Sequence, residues 1–346
     1  MTQGRDAFVT RWGIWLFAFG YFAAYVPYSV LSKMATDGLL PGMTRGHGLH
    51  PLAIQAMMTV GSVITAYAFI TAMGWWKYAT RGPWGLPRPQ WFTLVSGLCA
   101  SVQIITTTLA YTFKGVTIAL VMLFLRGGVL VIAPIVDLLH KKRKVHWTSW
   151  LASGLSLAAL VITVADSFGA GDGLPGLLIL NIAAYLTVYF FRLLFMSGRA
   201  KSSDPDLNKR FFVEEQMVAA PGLLILLVIF GLVGFQLGPD AVLHRIWDGF
   251  TLVPKTDFVW WLLLAGTLST GTGIFGTLIF LDQRETTYTV PINRASSILA
   301  GLLATLWLHE AYAQKSIKSL ELVGAGLIII AIIVLMMRPA PKKPAA

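Results

Sequence analysis

The chain has 346 residues, 56% of them hydrophobic and only 12% charged, with a mean hydropathy of +0.69 and a formal net charge of +11. Such a composition lies outside the range of soluble globular domains and of charged disordered chains, and it predicts an all-α polytopic membrane protein. The positive charge is too dispersed, and too closely tied to the ends of apolar runs, for a nucleic-acid surface.

Crossing the hydrocarbon takes about 20 mostly apolar residues per helix. Ten such runs follow in chain order: 12–32, 51–76, 91–112, 116–137, 147–166, 174–196, 211–236, 258–281, 288–308 and 317–337. The first, after a short segment 1–11, is too long for a signal-peptide core and has no small-residue cleavage site behind it, so it reads as a retained span. PGMTRGHGLHP, residues 41–51, reads as an external turn whose two His have too few companions for a metal site. The third run carries Gln103, Thr106, Thr107 and Thr108, with Tyr111 expected at its outer mouth. Its Cys99 is the only cysteine of the chain, so no internal disulfide can form.

The fourth run contains MLFLRGGVLVIAP, in which Arg126 is the eleventh of the 21 residues Val116–Val136 and so sits near mid-bilayer. A central Arg costs about 2.5 to 3.5 kcal/mol on insertion scales, so it must face protein or a water-lined interior. KKRK at 141–144 reads as a topology anchor beside lipid headgroups. A connector, 167–173, divides the chain into a first half, 12–166, and a second, 174–337. In the sixth run Arg192 lies near a helix end, where it can snorkel or pair with Glu214 or Glu215. Those two acids open the seventh run and are the available candidates for a proton-coupling role, since no Asp or Glu occupies the centre of any run. The eighth run, LLLAGTLSTGTGIFGTLIF, combines Gly266, Gly271, Gly273 and Gly276 with Thr267, Ser269, Thr270 and Thr272, a mixture suited to close helix crossings or to a hydroxyl-lined wall. In the ninth, Arg294 follows Pro291 and Asn293, which predict an irregular helix start lining a cavity. A basic tail, 338–346, ends the chain.

Of the 27 Lys and Arg, 17 fall in the termini and loops that ten spans place on one side, 7 on the other and 3 inside spans. The positive-inside bias puts both termini in the cytoplasm. LAYTFKGVTIALVMLFLRGG from Leu109 can be laid on LIFLDQRETTYTVPINRASS from Leu278, a shift of about 169 residues that nearly superposes Arg126 on Arg294 and covers five spans. Because five is odd, the second copy is inverted, the arrangement that places a site between the halves near the midplane. The expected site is Arg126 and Arg294, with Gln103, Thr107, Tyr111, Thr270 and Asn293 around them. Two guanidiniums suit a carboxylate or phosphate.

The stretches VMLFLRGGVLVIAPIVDLLHKKRKVHWTSWLASGLSLAALVITVAD, residues 121–166, and YTVPINRASSILAGLLATLWLHEAY, residues 288–312, resemble helices four, five and nine of the drug/metabolite transporter superfamily. The likeness is to its EamA-like branch of nucleotide-sugar-transporter-like and solute carrier family 35 proteins. That resemblance implies ten helices in two five-helix repeats and a secondary transporter working by alternating access, while the arginine pair points to a small, anionic metabolite as its substrate. The motif-level likeness covers about a quarter of the chain and includes no substrate motif of the established nucleotide-sugar carriers. No metalloprotease, nucleophile-elbow, Walker or dinucleotide motif occurs, so no catalytic residue, cofactor or metal is expected. The bilayer is the expected partner, nucleic acid is not. The alternatives are a lipid-phosphate flippase, an exporter of amino acids or neutral metabolites, and a non-transporting scaffold.

Overall fold

A computed structural model of the protein describes residues 2–113, 116–139, 147–169, 176–199, 205–281 and 286–337. The KKRK run, residues 170–173 of the connector and the 338–346 tail lie outside them. The described residues are helical throughout, apart from turns and one isolated bridge between Arg81 and Pro87.

The helices are α1 (Thr2–Asp37), α2 (Pro51–Ala72), α3 (Trp91–Thr112), α4 (Ile118–Met122), α5 (Gly128–Leu139), α6 (Trp147–Gly169), α7 (Gly176–Arg199), α8 (Pro205–Leu237), α9 (His244–Thr251), α10 (Val259–Phe280), α11 (Thr286–Tyr312) and α12 (Ser319–Met336). Between α4 and α5 the helix continues through a π-turn, Leu123–Gly127. Six segments are long and apolar enough to cross a membrane: Gly13–Asp37, Pro51–Ala72, Trp91–Tyr111, Gly176–Met196, Asp206–Leu237 and Val259–Phe280. Three shorter apolar helical stretches lie at Ile118–Ile132, Trp150–Ile162 and Ser319–Val334.

Burial is inverted relative to a soluble protein. Leu16, Phe19, Ile64, Leu98, Ile225, Ile229, Leu232 and Phe235 face outward, whereas Gln55, Gln103, Arg126, Arg192, Glu215, Asn293 and Arg294 are buried. An apolar belt of that extent could not face water, and it makes this a multi-pass membrane protein.

Several run boundaries differ from the helices. α1 extends back to Thr2 rather than starting at 12, and α8 starts at Pro205 rather than 211. Apolarity marks where a helix meets lipid, while backbone hydrogen bonding continues into the polar flank. The 51–76 run is shorter as a helix: α2 stops at Ala72, and Gly74, at φ +64°, turns the chain into a single 3-10 turn at Trp75–Tyr78. α11 runs unbroken through positions 291–293, so the expected irregular start is not there. The backbone departs from α-geometry instead around Arg126.

The bundle is built from the neighbours α1 with α10 and α11, α3 with α7 and α8, α2 with α10, and α6 with α12. Two crossings are unusually close. A Cβ on Gly266 would meet the Met58 carbonyl oxygen at 1.9 Å, and one on Gly61 would meet the Leu263 carbonyl at 2.3 Å, so only glycine fits where α2 crosses α10. A Cβ on Gly97 would meet Val218 Cβ at 2.5 Å where α3 crosses α8.

Candidate functional site

The residues 100, 103, 104 and 107 of α3 fall at helical spacing on one face, and with α1, α7, α8, α10, α11 and the π-turn they enclose a cavity of about 100 Å3. Arg126, Arg294, Gln103, Thr107, Thr270 and Asn293 all line it. Tyr21, Tyr25, Tyr28, Tyr185, Tyr189 and Arg192 also line it.

Arg126 is presented by the π-turn, in which a wider helical turn re-aims the side chain inward. Gly127 and Gly128 follow it, and a Cβ on Gly128 would meet Leu186 Cδ2 at 2.7 Å, so α7 closes directly over the turn. The Arg126 guanidinium donates to the hydroxyls of Tyr25 and Tyr185 and lies 5.2 and 5.5 Å from their ring centres. Arg294 donates to the Tyr189 hydroxyl, and to that of Tyr185 at 3.5 Å, and stands over the rings of Tyr189 and Phe280 at 4.9 and 5.7 Å. Among the described residues neither guanidinium has a carboxylate within 4.0 Å. Phenol oxygens and ring faces solvate the two cations without cancelling their charge.

Several donors are left over. The Nε of Arg126, the Nε of Arg294, Gln103 Nε2 and Asn293 Nδ2 are buried without a hydrogen-bond partner, as is one acceptor, Asn293 Oδ1. Four donors and one acceptor are thus left unsatisfied on residues that line the cavity.

Arg192 behaves differently. It donates through Nε and Nη2 to the two carboxylate oxygens of Glu215 at 2.9 and 2.7 Å, through Nη1 to Gln103 Oε1 at 3.0 Å, and to Thr277 Oγ1 at 3.0 Å. Ser96 Oγ donates to the same Glu215 at 2.5 Å. Glu215 is thus fully buried one step behind the cavity wall. Glu214 turns the other way and accepts from Thr80 N, Thr80 Oγ1, Gln90 N and Thr93 Oγ1 at 2.6 to 3.1 Å, which ties the 73–90 connection to α8.

Tyr111 does not line the cavity. It is buried behind Tyr25, paired hydroxyl to hydroxyl at 2.7 Å, and donates to Met122 Sδ at 3.4 Å. Tyr25 covers the position that the next turn of the α3 face would have reached. The tyrosines that hold the two arginines are absent from the expected site, yet the sequence carried a signal for them. Tyr21, Tyr25 and Tyr28 on α1 and Tyr185, Tyr189 and Arg192 on α7 have the same spacing, 164 positions apart.

Equivalent contacts recur between the two halves at offsets of 157 to 169 positions. Arg126 bonds Tyr25 as Arg294 bonds Tyr189. Tyr28 pairs with Thr108 Oγ1 at 2.9 Å as Arg192 does with Thr277, 169 positions beyond Thr108. Ser101 Oγ donates to the Ala219 carbonyl at 2.6 Å as Thr270 Oγ1 does to that of Ser62 at 3.1 Å.

No family model matches the chain, and no curated protein does. A solved structure described as "Crystal structure of protein" is similar over 93% of this chain and 96% of that one, with a TM-score of 0.51 at 14% identity. At that identity the likeness speaks to the fold alone.

Proposed function

We propose that the protein is a carrier of the drug/metabolite transporter type. It crosses the membrane ten times as two inverted five-helix repeats, with both termini in the cytoplasm, and moves a small anionic metabolite by alternating access. The ten spans are the six long apolar helices, the three shorter ones and α11. The inverted repeat is supported by the paired contacts above, which relate α1 to α7, α2 to α8 and α3 to α10.

The observation that carries the function is the arginine pair. Two guanidiniums, 4% and 1% exposed, share the Tyr185 hydroxyl, have no carboxylate partner among the described residues and keep unused donors. A structural arginine would be paired, as Arg192 is. An unneutralised pair facing a cavity is a resting site for an anion, which replaces the phenol contacts with charge-assisted bonds.

Glu214 and Glu215 are both fully engaged, which favours exchange or facilitated transport over proton symport. The test is anion binding to the purified chain and to Arg126→Gln and Arg294→Gln. Stabilisation of the parent alone by phosphate monoesters or carboxylates supports the reading. Equal stabilisation of all three proteins, or of none by any anion, overturns it.

A further inference from the structure

The two halves of the cavity differ at one end. Tyr28, Met58 and Ala265 occupy the places that correspond to Arg192, Glu215 and Ser96, so the Arg192–Glu215 ion pair has no counterpart at the matched positions. The position matching Gln103 is Thr272, whose hydroxyl is spent on the Ser269 carbonyl at 2.7 Å. Gln103 therefore has no amide counterpart at its matched position in the wall.

Its orientation is fixed by chemistry. Arg192 has no acceptor, so the Gln103 atom facing it at 3.0 Å must be Oε1. The Arg192 guanidinium is in turn held by both oxygens of Glu215. With its oxygen committed, Gln103 has only Nε2 left to offer, and that atom is buried and unpartnered on a residue that lines the cavity.

We infer that the substrate carries, besides the anionic group held by Arg126 and Arg294, a second hydrogen-bond acceptor read by Gln103 Nε2, and that Glu215 and Arg192 are positioning residues that hold Gln103 as a donor. Gln103, Arg126 and Arg294 line one cavity of about 100 Å3, so the acceptor and the anionic group belong to one small molecule, an oxo- or hydroxy-substituted phosphate ester or carboxylate. This rests on the anion-carrier reading.

The test uses probes that differ only in an acceptor: propyl phosphate against 2-oxopropyl phosphate, and pentanoate against 4-oxopentanoate. Affinities are measured by titration calorimetry on the full chain. The parent should prefer the oxo member of a pair by roughly tenfold, the scale of one buried hydrogen bond. In Gln103→Leu that ratio should fall to near one, and in Gln103→Glu, which keeps the bond to Arg192 but turns an acceptor to the cavity, below one. Glu215→Gln should lower the ratio, with no further loss in the Gln103→Leu/Glu215→Gln double variant, a non-additivity that general destabilisation would not produce. If the ratio survives in Gln103→Leu while Arg126→Gln abolishes binding, the anion site stands and this inference falls. If no probe binds the parent, or binding survives loss of both arginines, the carrier reading falls and takes this inference with it.

Discussion

At the scale of single residues, three buried arginines with the same formal charge have opposite stability roles. Arg192 and Glu215 compensate each other, so removing one partner strands a buried charge, which costs about 3 to 5 kcal/mol. Arg126 and Arg294 have only phenols, and they face each other across one hydroxyl. Replacing either with Gln removes an uncompensated cation and relieves repulsion between like charges. We therefore expect Arg192→Gln to melt well below the parent, and Arg126→Gln and Arg294→Gln to melt at or above it when no ligand is present while losing all stabilisation by anions. Thermal melts with and without a phosphate ester check this, and a collapse of stability in Arg126→Gln would mark it as structural. Lysine should not rescue the site, because a point charge cannot reproduce the planar fork held between two phenols; Arg126→Lys is expected to bind anions at least tenfold more weakly than the parent. Glu214 belongs with the structural group. Its carboxylate satisfies two backbone amides and two hydroxyls, and Glu214→Ala leaves Thr80 N and Gln90 N without an acceptor, at about 1 to 3 kcal/mol each.

Helices brought together in lipid depend on small residues, and the glycines of α10 separate that role from the ligand role. Gly266 has the Met58 carbonyl where a methyl would go, whereas Gly273 lines the cavity with nothing within 4 Å. Gly266→Ala should sharply reduce the yield of folded protein; Gly273→Ala should fold normally and change anion affinity, a contrast readable by size-exclusion chromatography and titration of the two variants. A pH effect belongs to α2. His50 Nδ1 accepts from Leu52 N at the start of that helix, and burial, with Arg245 nearby, lowers the His50 pKa below the ordinary 6.5. A lowered folded-state value means that the unfolded chain binds the proton more readily. The contribution is therefore full above about pH 6.5 and is lost as pH falls below it, and the melting temperature of His50→Ala should depend less on pH across that range. The elements also show what could be read in advance. Apolar runs give away helices because lipid demands them, and Arg126 and Arg294 stood out because charge is expensive there. The π-turn left no mark, since a single widened turn changes no apolar periodicity. The tyrosines carry no signal of their own for a similar reason. Tyr in a span is ordinary, and only the shared spacing on α1 and α7, together with the bonds to the arginines, gives Tyr25, Tyr185 and Tyr189 their meaning.

For the whole molecule, the proposed inverted arrangement makes a demand that no single site variant can test. If α3 and α10 are related by inversion, Ala100 and Ser269, 169 positions apart and both in the cavity wall, lie on opposite sides of the arginine layer. Ser269 stands with Tyr28 and Thr108 at one end, and Ala100 with Gln103 and Arg192 at the other. Rocking of the two halves around a fixed anion site must then expose one while covering the other. In a Cys99→Ala background, Ala100→Cys should be modified by a membrane-impermeant thiol reagent from the side of the termini, and Ser269→Cys from the opposite side. An anion that shifts the population between the two openings should raise one rate and lower the other, because a ligand redistributes states only through its different affinity for them. Rates that rise or fall together would mean a cavity opening as one body to one side, and would leave the arginine pair as a binding site without a transport cycle.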